Sequence, residues 1–259
     1  MTITDATCYE DLRRVATMVR AICALPAVPT QDWCDRAGEI VGGIRPGAVT
    51  CVYIASIDPD GRVLRMECRG GTIRSEPLSQ RTGASLPWWP ELTPAGSCEA
   101  RTARIAQADS EGATSGRTAP RLELQDSRAA LVGVIPLQPR DPLRMLVVEL
   151  WVSEEPWSIS DSDEACLAAV LPELARQALL AFGERTVDEA GFLTAREQHV
   201  LELLSSGHTI KEIATQLSRS PHTIHDHVKS LHRKLNASCR GELVARALGH
   251  IESGNGRAP

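Results

Sequence analysis

Lysine, arginine and histidine are the side chains that grip a polyanion, and this chain places them unevenly. Residues 191–259 hold nine Lys/Arg against six Asp/Glu, out of 28 and 33 in the whole chain, together with all seven histidines. The 19 basic and 27 acidic residues that remain make residues 1–190 an acidic body with a basic module of net +3 attached. That asymmetry lets the module alone meet phosphate. Within it, His222, Asp226, Lys229 and Arg233, with His225 on the flank, fall along one side of a helix whose other side is apolar. Donors and acceptors mounted this way can enter a DNA major groove.

Other chemistries lack their residues. The only lysines are Lys211, Lys229 and Lys234. A phosphate-binding P-loop and a pyridoxal Schiff base each need a lysine, and so does a phospho-acceptor receiver pocket, so residues 1–210 hold none of them. No nucleophile–base pair and no carboxylate pair presents itself, so no catalytic site and no cofactor are expected. His222 and His225 stand three apart on one helix but bring no third ligand, which argues against a metal site. The eight cysteines, at 8, 23, 34, 51, 68, 98, 166 and 239, contain no Cys-x-x-Cys pair. They read as small buried side chains rather than a disulfide framework, with a redox-sensing thiol as the alternative the pattern leaves open. Met1 to Glu10 show no basic segment leading into an apolar one, and no apolar run approaches the roughly 20 residues of a membrane span. A cytoplasmic protein with no membrane partner is expected.

The elements that position the basic face can be read locally. Thr194-Ala195-Arg196-Glu197 is a capping box, in which the hydroxyl accepts from the third amide and the glutamate reaches back. It opens a helix with Val200, Leu201, Leu203 and Leu204 inward and Gly207 at its end. Thr209-Ile210-Lys211-Glu212 is a second capping box, opening a short helix with Ile213, Ala214 and Leu217 inward. Ser218-Arg219 makes the turn, Ser220 is an N-cap, and Pro221 fills the first helical position. In the third helix Ile224, Val228, Leu231 and Leu235 form one narrow stripe. A fourth helix, about Arg240 to Leu248, supplies Leu243, Val244, Ala247 and Leu248 and stops at Gly249.

These residues, in this order, resemble the LuxR family of helix-turn-helix domains. The matching positions are Leu193-Thr194, Arg196-Glu197, Val200-Leu201, Gly207, Lys211-Glu212-Ile213-Ala214 and Leu217, continuing through Ser220, Thr223-Ile224, His227, Lys234-Leu235, Arg240, Leu243-Val244 and Ala247. The resemblance implies a sequence-specific regulator of transcription that binds double-stranded DNA. It assigns base contacts to His225, Asp226 and Lys229, and phosphate contacts to Lys211, Thr223, His227 and Lys234. His225 departs from the lysine usual at that position, and Asp226 offers a carboxylate that a cytosine amino group could meet. Partners implied are DNA, a second copy of the chain through Leu243 and Ala247, and RNA polymerase.

Upstream, residues 8–25 place Leu12, Val15, Val19 and Ile22 on one helical stripe, and a second helix is expected over Gln31 to Ile44. Ala48 to Ile57 and Arg62 to Cys68 read as strands about the turn Asp60-Gly61. Periodicity fails over residues 70–128. Ala129 to Leu137 and Leu143 to Val152 are further strands, and a long helix spans about Ser160 to Phe182, with Pro172 as a kink. This α+β order resembles a GAF domain, a fold that holds small ligands in a cup over its sheet, and implies a sensor at residues 1–186. The helix-turn-helix domain then covers 187–252, and 253–259 is a disordered tail. Leu167, Leu171, Leu174 and Ala178, with Val15, Val19 and Ile22, are more apolar positions than one cup needs and point to a homodimer. Two alternatives stand beside this reading. Trp88-Trp89 and Asp58-Pro59 are similar to residues of the acyl-homoserine-lactone domain of quorum-sensing LuxR proteins, and His225 with Asp226 would suit a protein-interaction module with a degenerate helix-turn-helix.

Overall fold

In a computed structural model the chain divides into two compact units, Met1–Ala24 with Cys34–Ala175, and Leu25–Trp33 with Arg176–Pro259. The structure describes residues 3–72, 83, 85–86, 88–92, 99–106, 129–138, 143–152, 158–183 and 191–250. The domain boundary at residue 186 and the tail at 253–259 lie outside these residues.

The first unit is α+β. Its sheet runs β2 (Val63–Gly71), β1 (Val49–Ile57), β5 (Leu143–Val152), β4 (Ala129–Gln138), β3 (Arg101–Ala106), every pair antiparallel. Asp58 closes the β1–β2 turn by accepting from Asp60 and Arg62 amides, and Gly61 takes the positive φ of 79° there. A Cβ on Gly61 would lie 2.2 Å from the Trp89 ring, so no other residue fits beneath that indole. The edge strand β3 and the short helix α3 (Trp89–Leu92) fall in the stretch where sequence periodicity fails.

The strands read as nearly continuous apolar runs because both sheet faces are covered. On one face Cys51, Tyr53, Ala55, Ile57, Val132, Val134, Met145, Val147 and Trp151 pack with Leu86, Trp88, Trp89 and Leu92. On the other, α4 (Asp161–Phe182) lies close, since a Cβ on Gly133 would come within 2.7 Å of Leu171. Leu167, Leu171 and Leu174 are fully buried, as is Ile22 of α1 (Ile3–Cys23), and so is Ala178 in the second unit, so none of them is free to form a dimer surface. On length and composition α4 alone among the described helices could cross a bilayer, but its apolar residues are largely buried. The helix runs on through Pro172. The α2 helix spans Trp33–Gly42, shorter than expected.

One buried carboxylate stands in the first face. Glu149 of β5 is wholly buried and accepts from the Tyr53 hydroxyl at 2.9 Å, the Trp88 indole at 3.0 Å and the Trp151 indole at 3.2 Å. Trp89 donates to the Pro59 carbonyl. Both members of the Trp88-Trp89 pair therefore have a polar partner inside the unit, as buried indoles require.

The second unit carries four helices, α5 (Ala195–Ser205), α6 (Ile210–Gln216), α7 (Pro221–Lys234) and α8 (Arg240–Ala247). Their core is Leu193, Val200, Leu201, Leu204, Ile213, Ala214, Ile224, Leu231, Leu235 and Leu243. Val28, from the segment between α1 and α2, joins that core. The Leu193 amide donates to the Pro29 carbonyl at 2.8 Å, and Thr30 bridges Leu193 in parallel.

Candidate nucleic-acid interface

Every helix of the second unit has a defined start and stop. Both capping boxes form: Thr194 accepts from the Glu197 amide, Thr209 from the Glu212 amide, and each glutamate reaches back to its cap's backbone. Ser220 accepts from the Thr223 amide, with Pro221 following as the first helical residue. At the far ends, one geometry recurs four times. A residue with positive φ follows the last helical turn, and the next amide donates to a carbonyl five residues back: His208 to Leu203, Arg219 to Ala214, Ala237 to His232, His250 to Ala245. Gly207 and Gly249 supply two of these left-handed positions; Ser218 and Asn236 supply the others, at φ 51° and 49°.

These stops fix how α7 lies on α5 and α6. Ile224, Leu231 and Leu235 are buried, and Val228 is half-buried beside them. The opposite side presents His222, His225, Asp226, Lys229 and Arg233, all exposed. Thr223 and His227 flank that face, half-buried. Lys211 is exposed in the first turn of α6. The expected base-contacting residues thus share one open helix face, and three of the four expected phosphate contacts border it or stand at the neighbouring helix start. Asp226 is not isolated, since the His222 imidazole lies 3.7 Å from its carboxylate.

Lys234 departs from expectation. Its side chain is 12% exposed, and its ammonium donates to the Glu197 carboxylate at 2.8 Å and the Phe192 carbonyl at 2.7 Å. The lysine is an internal tie, and its charge is already spoken for. Glu197 is the hub of that tie, accepting also from the Ser230 hydroxyl at 2.6 Å and from Thr194. Burial alone would raise its pKa, but the donors Lys234, Ser230 and Thr194 outweigh that and hold it at about 2. The hub pins the C-terminal half of α7 to the start of α5. No local pattern could reveal it, because Lys234 and Glu197 are 37 residues apart.

Two further ties hold the helix ends. Arg240 donates to the Leu204 and His208 carbonyls, satisfying the end of α5. Glu242 accepts from the Ser238 backbone and hydroxyl and from Arg246, and the Ser238 amide first, then Arg246, lowers its pKa to about 2. His232 and His208 engage backbone carbonyls through Nδ1, and among the described residues no three potential ligands converge on a metal site. Leu243 is fully buried in the core of its own unit and so cannot serve a partner surface, as had been expected of it.

The arrangement defines a helix-turn-helix: α6 braces, α7 presents a polar face, and α5 and α8 close the core beneath. The family model described as bacterial regulatory proteins, luxR family, matches residues 192–247, which is this four-helix unit. Over 65 residues the chain is 35% identical to the spore germination protein GerE of Bacillus subtilis, covering 88% of that protein and 25% of this chain. It is 38% identical over 65 residues to the probable transcriptional regulatory protein NarL of Mycobacterium tuberculosis, where the match spans only 30% of the relative's length. The chain belongs to the luxR family of bacterial regulatory proteins. A solved structure of SdiA in complex with octanoyl-rac-glycerol is similar over 96% of this chain and 97% of that one, at 16% identity and a TM-score of 0.37.

Proposed function

We propose that the protein is a sequence-specific regulator of transcription that binds double-stranded DNA through α7. The observation that carries this reading is the open face of His225, Asp226 and Lys229, mounted on a helix whose other side is locked into the core by Ile224, Leu231 and Leu235. Lys229 and His225 offer donors to base edges, and Asp226 offers an acceptor. Lys211, Thr223 and His227 are assigned to phosphates, which position the helix but carry no sequence information. Lys234 drops out of the set because Glu197 holds its charge.

The reading extends to a cytoplasmic homodimer that meets RNA polymerase and whose first unit takes a small ligand. The ligand rests on the first unit's α+β order, which resembles a fold that holds small molecules over its sheet. For a dimer, Tyr9 and Leu12 of α1 support a partner surface, at 71% and 64% exposed. Binding of genomic fragments, followed by fluorescence anisotropy across a salt series, tests the proposal. The expected result is a selected fragment bound at least a thousandfold tighter than random duplex, with affinity falling steeply as salt rises. Equal, weak binding to all fragments would favour an interaction module instead.

A further inference from the structure

Cys34 and Cys68 lie far apart in sequence and meet in the first unit, with their sulfurs 3.0 Å apart. Cys34 is the second residue of α2 and is 1% exposed; Cys68 is on β2 and half-buried. Contacts that involve neither sulfur hold them there. A Cβ on Gly70 would come within 2.4 Å of the Asp35 amide and 2.7 Å of the Cys34 carbonyl carbon, and one on Gly38 within 2.6 Å of the Gly71 Cα. The start of α2 therefore lies backbone to backbone across the end of β2. The Asp35 carboxylate, accepting from the Gly71 amide at 3.0 Å, fixes the same junction. A disulfide bond is about 2.05 Å long, so closure asks for roughly 1 Å of further approach. Among the described residues no third ligand joins the pair.

We propose that Cys34 and Cys68 form a reversible dithiol–disulfide site, oxidised by a hydroperoxide. The Cys68 thiolate, on the more accessible sulfur, attacks the terminal peroxide oxygen. The O–O bond breaks, the leaving alkoxide or hydroxide takes up a proton, and Cys68 becomes a sulfenic acid. The Cys34 sulfur then attacks the Cys68 sulfur. The S–O bond breaks, and hydroxide leaves as water with the proton of the Cys34 thiol. Two thiols lose two electrons in all, and the peroxide gains them. A dithiol or glutathione reverses the bond by thiol exchange. The roles follow from surroundings: Cys34 donates its S–H to the Cys68 sulfur, and burial, with that hydrogen bond, keeps the Cys34 thiol neutral.

The test uses the folded, full-length chain. One equivalent of hydrogen peroxide is added, free thiols are alkylated, and a non-reducing digest is mapped by mass spectrometry. The expected product is a peptide pair joined through Cys34 and Cys68, two hydrogen masses lighter than its parts and released by dithiothreitol. With Cys34→Ser, dimedone should label Cys68; with Cys68→Ser, it should leave Cys34 unlabelled. Circular dichroism identical to wild type shows that each variant is folded, and the wild-type map stands without them. Both thiols recovered alkylated, a predominant link between other cysteines, or dimedone on Cys34 in Cys68→Ser would each overturn the proposal.

Discussion

The two units hold buried carboxylates in different ways, and Glu197 and Glu149 show the difference. Glu197 is held by the Lys234 ammonium and joins two helices at their ends. Glu149 lies in the middle of a strand and accepts from a phenol and two indoles in a broad apolar face. A four-helix unit of this size has a thin core, so a buried ion pair that fixes helix ends is central to it. A five-stranded sheet covered on both faces buries an ion pair too, Arg144 with Glu67 at 2.8 Å, but has apolar packing in reserve around Glu149.

The same substitution at both positions tests that contrast. Glu197→Gln should cost about 3–5 kcal/mol, because it strands a buried ammonium. Denaturant unfolding followed by far-UV circular dichroism measures it. Acid should act through the same group. Glu197 titrates at about 2 when folded, against 4.5 ordinarily, so its contribution is complete above the ordinary value and fades as pH falls from about 5 towards 2. Glu197 should account for at most about 3 kcal/mol of the loss in that window, and that share should be absent in Glu197→Gln, leaving the smaller dependence from Glu242, also held at about 2. Glu149→Gln keeps the shape and one acceptor, so about 1–3 kcal/mol is expected, read by the fluorescence of Trp88, Trp89 and Trp151. Equal losses at the two sites would break the comparison. The smallest effect is at Ser218, where φ is 51°. Ser218→Gly should stabilise the helical unit by up to about 1 kcal/mol, because glycine takes that conformation without strain.

What was legible in the sequence was local. The capping boxes at Thr194 and Thr209, the Ser220-Pro221 start and the stripe from Ile224 to Leu235 all formed, because each is set within a turn or two of helix. The exposed polar face of α7 followed from that stripe. Pairings over long intervals were not legible. Nothing in the pattern says that Lys234 meets Glu197 rather than a phosphate, or that Val28 and Pro29 pack with Leu193. The edge strand β3 was missed because Arg101-Thr102-Ala103-Arg104-Ile105-Ala106 has no clean alternation. Leu167, Leu171 and Leu174 were read as surplus to one core because the sequence does not reveal that α4 lies against Gly133 and is buried along that side.

The central claim is that α7 reads bases while Lys211 on α6 only grips phosphate. Salt titrations of Lys229→Ala and Lys211→Ala, each on a selected operator and on a scrambled duplex, test it most directly. Lys229→Ala should lose about 1–3 kcal/mol on the operator and much less on the scrambled duplex. Lys211→Ala should weaken both duplexes alike and flatten the salt dependence by about one unit of slope. Equal losses on both duplexes for both variants would contradict the assignment of the reading face.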